Sequence, residues 1–309
     1  MARRRKGDAV SGWICLDKPH DLGSTQAVGR VRRAFNAQKA GHAGTLDPLA
    51  TGVLPIALGE ATKTVPFLMD ADKAYRFTLT WGVETASFDR EGPVTATSDA
   101  RPAPAAIAAA LERFVGEIQQ IPPDFSAVRV DGARAYDLAR EGVAMELKAR
   151  AVTIHAASLL ATPDPDHAVF EIQCGKGTYV RALARDLAAA LGAHAHVSEL
   201  RRTRVGSFAE GKSIGLETLE QLCHTGQSLE ALLPVETALD DIPELAVTTE
   251  DAFRLTQGRS IVLLPRQVET LRARLSASRI VSTRHGARIV ALCEMRAGRL
   301  NPTRVFHLT

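Results

Sequence analysis

"GHAGTLDPLATGVLPIALGEATK", residues 41–63, holds four glycines, two prolines, one histidine and one aspartate before it turns apolar. Gly41, Gly44 and Gly52 permit backbone geometries and close approaches that side chains block. Asp47 precedes Pro48, and an Asp-Pro step marks a turn or a helix start, with Asp as the cap and Pro at the first helical position. The structural reading is a capping aspartate in a Gly-rich turn. The functional reading is a carboxylate kept ionised by oriented amides and a nearby cation, usable as a nucleophile or base. The stretch alone does not name a substrate.

Working outward, "GWICL" (12–16) reads as a short buried strand. "STQAVGRVRRAFNA" (24–37) reads as a helix with Ser24 as N-cap and Val28, Val31 and Phe35 on its core stripe. "KAYRFTLTWG" (73–82) alternates like a strand, with Tyr75, Phe77 and Leu79 on one side. "PAPAAIAAALERFVG" is a helix opened by prolines and closed by Gly116, and "RAYDLAREG" (134–142) is a second, short one. "ARAVTIHAASLLAT" and "HAVFEIQC" pair as strands across the turn-forming "PDPD", and "TYVRALARDLAAALG" is an amphipathic helix ending at Gly192. Past Leu233 the texture changes to one short helix and several short strands. The expected organisation is a basic tail (1–11), a main domain (12–233) and a small β-rich domain (234–309). Helices interspersed among locally paired strands predict a mixed α+β fold rather than a regular βαβ array.

With 24% charged and 45% hydrophobic residues among 309, the composition is that of a soluble globular chain able to bury a full core. No apolar run reaches the roughly 18 residues of a membrane span, and the basic start has no apolar stretch of a secretory signal behind it. Cys15, Cys174, Cys223 and Cys293 lie far apart with no CxxC pair, which argues against a zinc site or a disulfide framework and suits the cytoplasm. The net charge of +3 is small, but its distribution is uneven. The first forty residues carry nine Lys or Arg against three acids, and "LRRTR" clusters Arg201, Arg202 and Arg204. Such patches suit a polyanion such as nucleic acid, or are simply solvated surface.

"CGKGTYVRALARD" (174–186) fails the dinucleotide fingerprint, because its third glycine falls at Val180. What remains is a strand ending in two glycines and a helix bearing Tyr179 and Arg181 near its start. An arginine there opposes the helix dipole, and a partner carboxylate would explain it, with Asp47 as candidate; the alternative is a surface Arg beside a core Tyr. Tyr75, one of three tyrosines, is either core or a ring that stacks on a base with a hydroxyl to relay a proton. His42 is either a general base or a packing residue, and "HAH" (194–196) lacks companions for a metal.

The 41–63 stretch resembles the signature of the TruB-type tRNA pseudouridine synthases. "ICLDKP", "DKAYRFTLTWG", "IPPDFSAVRVDGARAYDLAREG", "CGKGTYVRALARDL" and "HVSELRRTRVGSF" resemble the family's other blocks in order, over roughly residues 12–210. The resemblance implies an α+β catalytic domain on a mixed, largely antiparallel central sheet flanked by helices, with a small PUA-like C-terminal domain. It implies isomerisation of uridine 55 in the tRNA T loop by a cytoplasmic monomer with no metal or other cofactor. It further implies Asp47 as the catalytic nucleophile or base, Arg181 as its salt-bridge partner, and Tyr75 against the target base. Tyr179 and Leu200 would line the pocket and His42 would pack against flipped-out nucleotides. Lys18, Lys63, Arg129, Arg201 and Arg202 would give supporting RNA contacts, and Asp89 a supporting role. Two departures stand out: His20-Asp21 follow Lys18-Pro19 where the family usually has a glycine two positions on, and Arg129 stands where lysine is common. A non-catalytic RNA-binding protein using the same surface is the rival reading. A glycosidase is a weaker one, since it wants paired carboxylates and the signature offers one.

Overall fold

The computed structural model describes residues 7–126, 128–130, 133–134, 143, 147–275 and 279–308. Along the chain, β1 (Gly12–Lys18), α1 (Ser24–Ala34), β2 (Ala40–His42) and β3 (Thr51–Leu58) lead through a 3-10 turn (Gly59–Lys63) to α2 (Val65–Asp70) and β4 (Lys73–Trp81). A hairpin, β5 (Val83–Thr85) and β6 (Val94–Thr97), precedes α3 (Pro104–Glu112) and β7 (Gly116–Gln120). Two short strands, β8 (Arg129–Val130) and β9 (Ala133–Arg134), come before β10 (Arg150–Asp164) and β11 (His167–Cys174). Then follow α4 (Val180–Ala190), β12 (Ala195–Val205), β13 (Phe208–Ala209), β14 (Ile214–Gly215) and α5 (Leu216–His224). The C-terminal part comprises β15 (Glu244–Ala246), α6 (Thr249–Thr256), β16 (Ile261–Val262), α7 (Pro265–Arg272), β17 (Ile280–His285), β18 (Arg288–Arg296) and β19 (Arg299–Val305).

The central sheet runs β14-β1-β3-β12-β4-β11-β10-β7, with β2 on β3 and β13 on β12. Among the described strands of this sheet, β1/β14 and β3/β12 pair in parallel and the other pairs are antiparallel. A strand buried on both faces splits its residues between two cores. On β1, Ile14 and Leu16 join Val31 of α1, Leu54 and Ile56 of β3, and Leu183 and Leu187 of α4. Trp13 and Cys15 face the other way, onto Phe208, Val53, Ala57, Ile289 and Phe306. Phe77 of β4 and Phe170 of β11 are cross-strand partners whose rings stack at 5.1 Å, one of the pairings that fix sheet register. The second sheet, β15-β17-β18-β19-β16, closes a third core around Leu255, Val281 and Cys293. Among the described residues no helix is long and apolar enough to cross a membrane.

Four expectations need correcting or setting aside. Gly23, not Ser24, occupies the cap of α1; the Ser24 hydroxyl instead accepts from Leu46 N–H and donates to Leu46 O, both at 2.8 Å. The α3 helix ends at Glu112, and Gly116, at φ +103°, opens β7 rather than closing the helix. The C-terminal part has two helices where the sequence suggested one, because Pro265 starts α7 in a segment with weak periodicity. Of the helix expected over 134–142, Arg134 ends β9 and the remainder lies outside the described residues.

Candidate active site

Asp47 sits in the loop between β2 and β3, and three cations hold that loop from within. Ala50 N–H donates to Asp47 O at 3.1 Å, so Asp47–Ala50 is a β-turn with Pro48 second, not a helix start. Lys18, fully buried, donates to the carbonyls of Pro19 (2.9 Å), Leu22 (2.7 Å) and Pro48 (3.2 Å). Burial pushes its ammonium pKa down to about 8, with Asp47 opposing the shift. Arg202, equally buried, donates to Val53 O (2.8 Å), Gly44 O (3.1 Å) and Thr45 O (3.4 Å). It stands opposite Gly52 in the β3/β12 pairing, where a methyl group would lie 2.3 Å from Arg202 O.

The third cation is Arg181, at the second position of α4. Its Nη2 donates to Asp47 Oδ2 at 2.8 Å and to Phe125 O at 2.8 Å, while Nη1 donates to Ser87 O at 3.0 Å. Asp89 adds a carboxylate 3.5 Å from Nε and is itself held by the Ser87 hydroxyl and Glu91 N–H. A buried guanidinium at a helix start is costly unless paired, and here two carboxylates and two carbonyls satisfy it. The side chain of Arg181 is 5% exposed and that of Asp47 is 38% exposed, so the pair is anchored on the cation and open on the carboxylate.

Asp47, Tyr75, Tyr179, Arg181, Leu200 and Arg202 converge on one cavity of about 270 Å³. Tyr75 reaches it from β4, between Ile172 of β11 and Arg202 of β12. Burial pushes its phenol pKa up, with the Arg202 guanidinium opposing. Tyr179 caps α4, and both its backbone polar groups bond the buried Gln120 side chain: N–H to Oε1 at 2.8 Å, C=O from Nε2 at 3.2 Å. The Arg150 guanidinium lies 5.4 Å from the Tyr179 ring centre.

Other expected contacts lie elsewhere. Lys18 and Arg202, expected as RNA contacts, are buried and brace the Asp47 loop from inside: Lys18 donates to three main-chain carbonyls, and Arg202 donates to three more and also bonds Tyr75. Lys63 pairs with Glu60 at 2.5 Å and donates to Val305 O at 2.7 Å, joining the 3-10 turn to the last strand. Arg201 forms a fork with Asp17 at 2.9 and 3.0 Å and pairs with Glu210, so two carboxylates already answer its charge. His42 is partly buried on β2 opposite Ile56 and outside the cavity; burial, then Arg202, lower its pKa. Arg129 lies in β8, with its side chain outside the described residues. The departure at His20-Asp21 is accommodated: Asp21 adopts φ +60°, the left-handed geometry a glycine supplies, and its N–H donates to Pro48 O at 3.0 Å. Sequence reading missed Gln120, Lys73 and Ser126, which support or line the cavity. A polar residue ending an alternating strand hinted at Gln120; Ser126 lies in the quoted "IPPDFSAVRVDG" block, but no local pattern singled it out.

The TruB family pseudouridylate synthase N-terminal domain matches residues 32–180, and the tRNA pseudouridylate synthase B C-terminal domain matches residues 181–240. The tRNA pseudouridine synthase B of Caulobacter sp. (strain K31) is 71% identical over 310 residues, spanning 100% of both chains. That of Caulobacter vibrioides is 69% identical over the same span. Among solved structures, a chain of a Cbf5-Nop10-Gar1 complex is similar with TM-score 0.72 and 25% identity, over 96% of this chain and 85% of that one. A chain of an H/ACA RNP bound to a substrate RNA, at 23% identity and TM-score 0.73, shares the fold. The class is therefore that of the pseudouridylate synthases, isomerases that act on uridine in RNA. Within it the chain belongs to the TruB family, and its activity is that of tRNA pseudouridine synthase B, with tRNA as substrate.

Proposed function

We propose that the chain isomerises uridine 55 in the T loop of tRNA, after flipping that nucleotide out of its stack, with Asp47 as the reacting carboxylate. The observation that carries this reading is the 2.8 Å Arg181–Asp47 pair at the cavity. The reaction breaks the N1–C1′ bond, turns the uracil and joins C5 to C1′. The C5 proton leaves and N1 gains one, so composition and oxidation state are unchanged. Extruding the uridine costs a few kcal/mol of stacking, which contacts to aromatic side chains offset. Tyr75 is our candidate for stacking on the base and for a part in removing the C5 proton; Tyr179 and Leu200 line the space in which the base turns. Arg181 orients Asp47 and balances its charge before and after the carboxylate acts, and the seated nucleotide displaces water from the cavity, which protects the detached sugar from hydrolysis. We read residues 12–233 as the catalytic domain and 234–309 as an RNA-contacting one, a division supported by the separate core of the second sheet.

Asp47→Asn keeps the size of the side chain and removes its charge. Tritium release from a C5-labelled T-stem-loop RNA is expected to fall below detection, with RNA affinity kept within about tenfold because phosphate contacts dominate binding. Substantial turnover by this variant would refute the assignment. A non-catalytic RNA-binding role alone would leave the wild type with no release either.

A further inference from the structure

Ser126 lies in the loop after β7, is 4% exposed, and lines the same cavity as Asp47, Tyr75 and Arg181. Its hydroxyl is shielded and has no hydrogen-bond partner among the described residues. The main chain around it is fixed. Ser126 N–H donates to Asp124 O at 2.9 Å, and the preceding carbonyl, Phe125 O, accepts from Arg181 Nη2 at 2.8 Å. Another hydroxyl in the cavity wall, that of Thr178, is spent on Gly175 O at 3.1 Å. A buried hydroxyl left unpaired costs about 1–3 kcal/mol, and few survive in folded proteins without a reason.

We propose that the Ser126 hydroxyl donates a hydrogen bond to a carbonyl oxygen of the target uracil and holds the base while it is detached from the ribose. This rests on reading the Asp47 cavity as the place of isomerisation. Uracil carries carbonyls O2 and O4 on either side of N3–H. A half turn about the axis through N3 and C6 exchanges N1 with C5, as the reaction requires, and O2 with O4. A donor facing one carbonyl before the turn therefore faces the other after it. A serine proton rotates about the Cβ–Oγ bond and follows the moving oxygen, whereas a main-chain N–H is fixed in its peptide plane. No bond to Ser126 forms or breaks.

The test is Ser126→Ala, assayed by single-turnover tritium release on a T-stem-loop RNA, with RNA affinity and thermal midpoint measured alongside. The rate is expected to fall about tenfold, as for a lost hydrogen bond made with substrate, with affinity within twofold. The thermal midpoint should not drop, because the free protein loses no bond. Replacing the target by 4-thiouridine or 2-thiouridine, whose sulfur accepts weakly, should slow the wild type markedly and the variant much less. A variant within twofold of wild type on uridine, or a thio penalty equal in both enzymes, overturns the proposal. Asp47→Asn run in parallel separates the two failures. If it turns over, the cavity reading falls. If it is dead while Ser126→Ala is unimpaired, only the serine assignment falls.

Discussion

Lys18 illustrates how a single side chain ties the stability of this protein to the loop that presents Asp47. Its ammonium sits among the carbonyls of Pro19, Leu22 and Pro48, and its pKa is pushed down to about 8 from the ordinary 10.5. Below pH 8 the group is charged in both folded and unfolded chains, and the fold carries the full cost of burying the charge. Between pH 8 and 10.5 the unfolded chain holds the proton and the folded one releases it, so this group's contribution to stability rises with pH through that window. The rise is about 3 kcal/mol at most, from 1.36 kcal/mol for each pKa unit. Urea unfolding of wild type and Lys18→Met at pH 7 and pH 10.5 checks this: the difference should move in favour of wild type at the higher pH. A difference that stays flat would mean that Lys18 titrates as a solvated lysine. Asp21 belongs to the same residue-level account, since its φ of +60° and its bond to Pro48 O complete the turn that Lys18 clamps.

At the scale of elements, the β2–β3 connection is held by its neighbours more than by its own bonds. Arg202 of β12 reaches across β3 to the carbonyls of Gly44 and Thr45, and Ser24 of α1 bonds both polar groups of the Leu46 backbone. Not every glycine of the stretch is needed equally. Gly52 has φ +96° with Arg202 O where its Cβ would go, whereas Gly41 has open space around it. Gly52→Ala should therefore cost about 3 kcal/mol or more and depress activity, while Gly41→Ala should stay within about 0.5 kcal/mol, both read from urea midpoints. Equal midpoints for the two variants would show that the strand crossing relaxes freely. This contrast also marks how far the sequence could be read. Strands β1, β4, β10 and β11 and helices α1 and α4 were legible from alternation and helical spacing, whereas β3 and β12 were not read; an arginine set against a helix dipole raised the pairing of Asp47 with Arg181, and the family resemblance singled it out. The roles of Lys18 and Arg202 were not, since a cation that caps interior carbonyls and one that faces RNA look alike until the packing around them is known. Arg201 beside Arg202 makes the point: neighbours on one strand, one forks onto Asp17 near the surface and the other is sealed inside.

For the molecule as a whole, β3 and β1 serve two cores at once. Their front residues support the cavity side with α1 and α4, while Trp13, Val53 and Ala57 face Ile289, Leu292 and Phe306 of the C-terminal part. Polar bonds reinforce the contact: Glu60 Oε2 accepts from His307 N–H at 2.8 Å and Lys63 donates to Val305 O at 2.7 Å. The second sheet thus completes the burial of the strand that leads away from Asp47, so the two sheets should unfold together rather than one after the other. The two tryptophans report on this, because Trp13 packs on Phe208 at the junction while Trp81 lies in the core beneath α3 and α4. Phe306→Ala, at a side chain 4% exposed, should cost about 3–5 kcal/mol. In a Trp13→Phe background, Trp81 fluorescence and far-UV circular dichroism should shift by the same amount and stay coincident through one transition. If Trp81 kept its original midpoint while part of the circular dichroism signal melted earlier, the sheets would be independent units, and the junction would contribute nothing to holding the Asp47 loop.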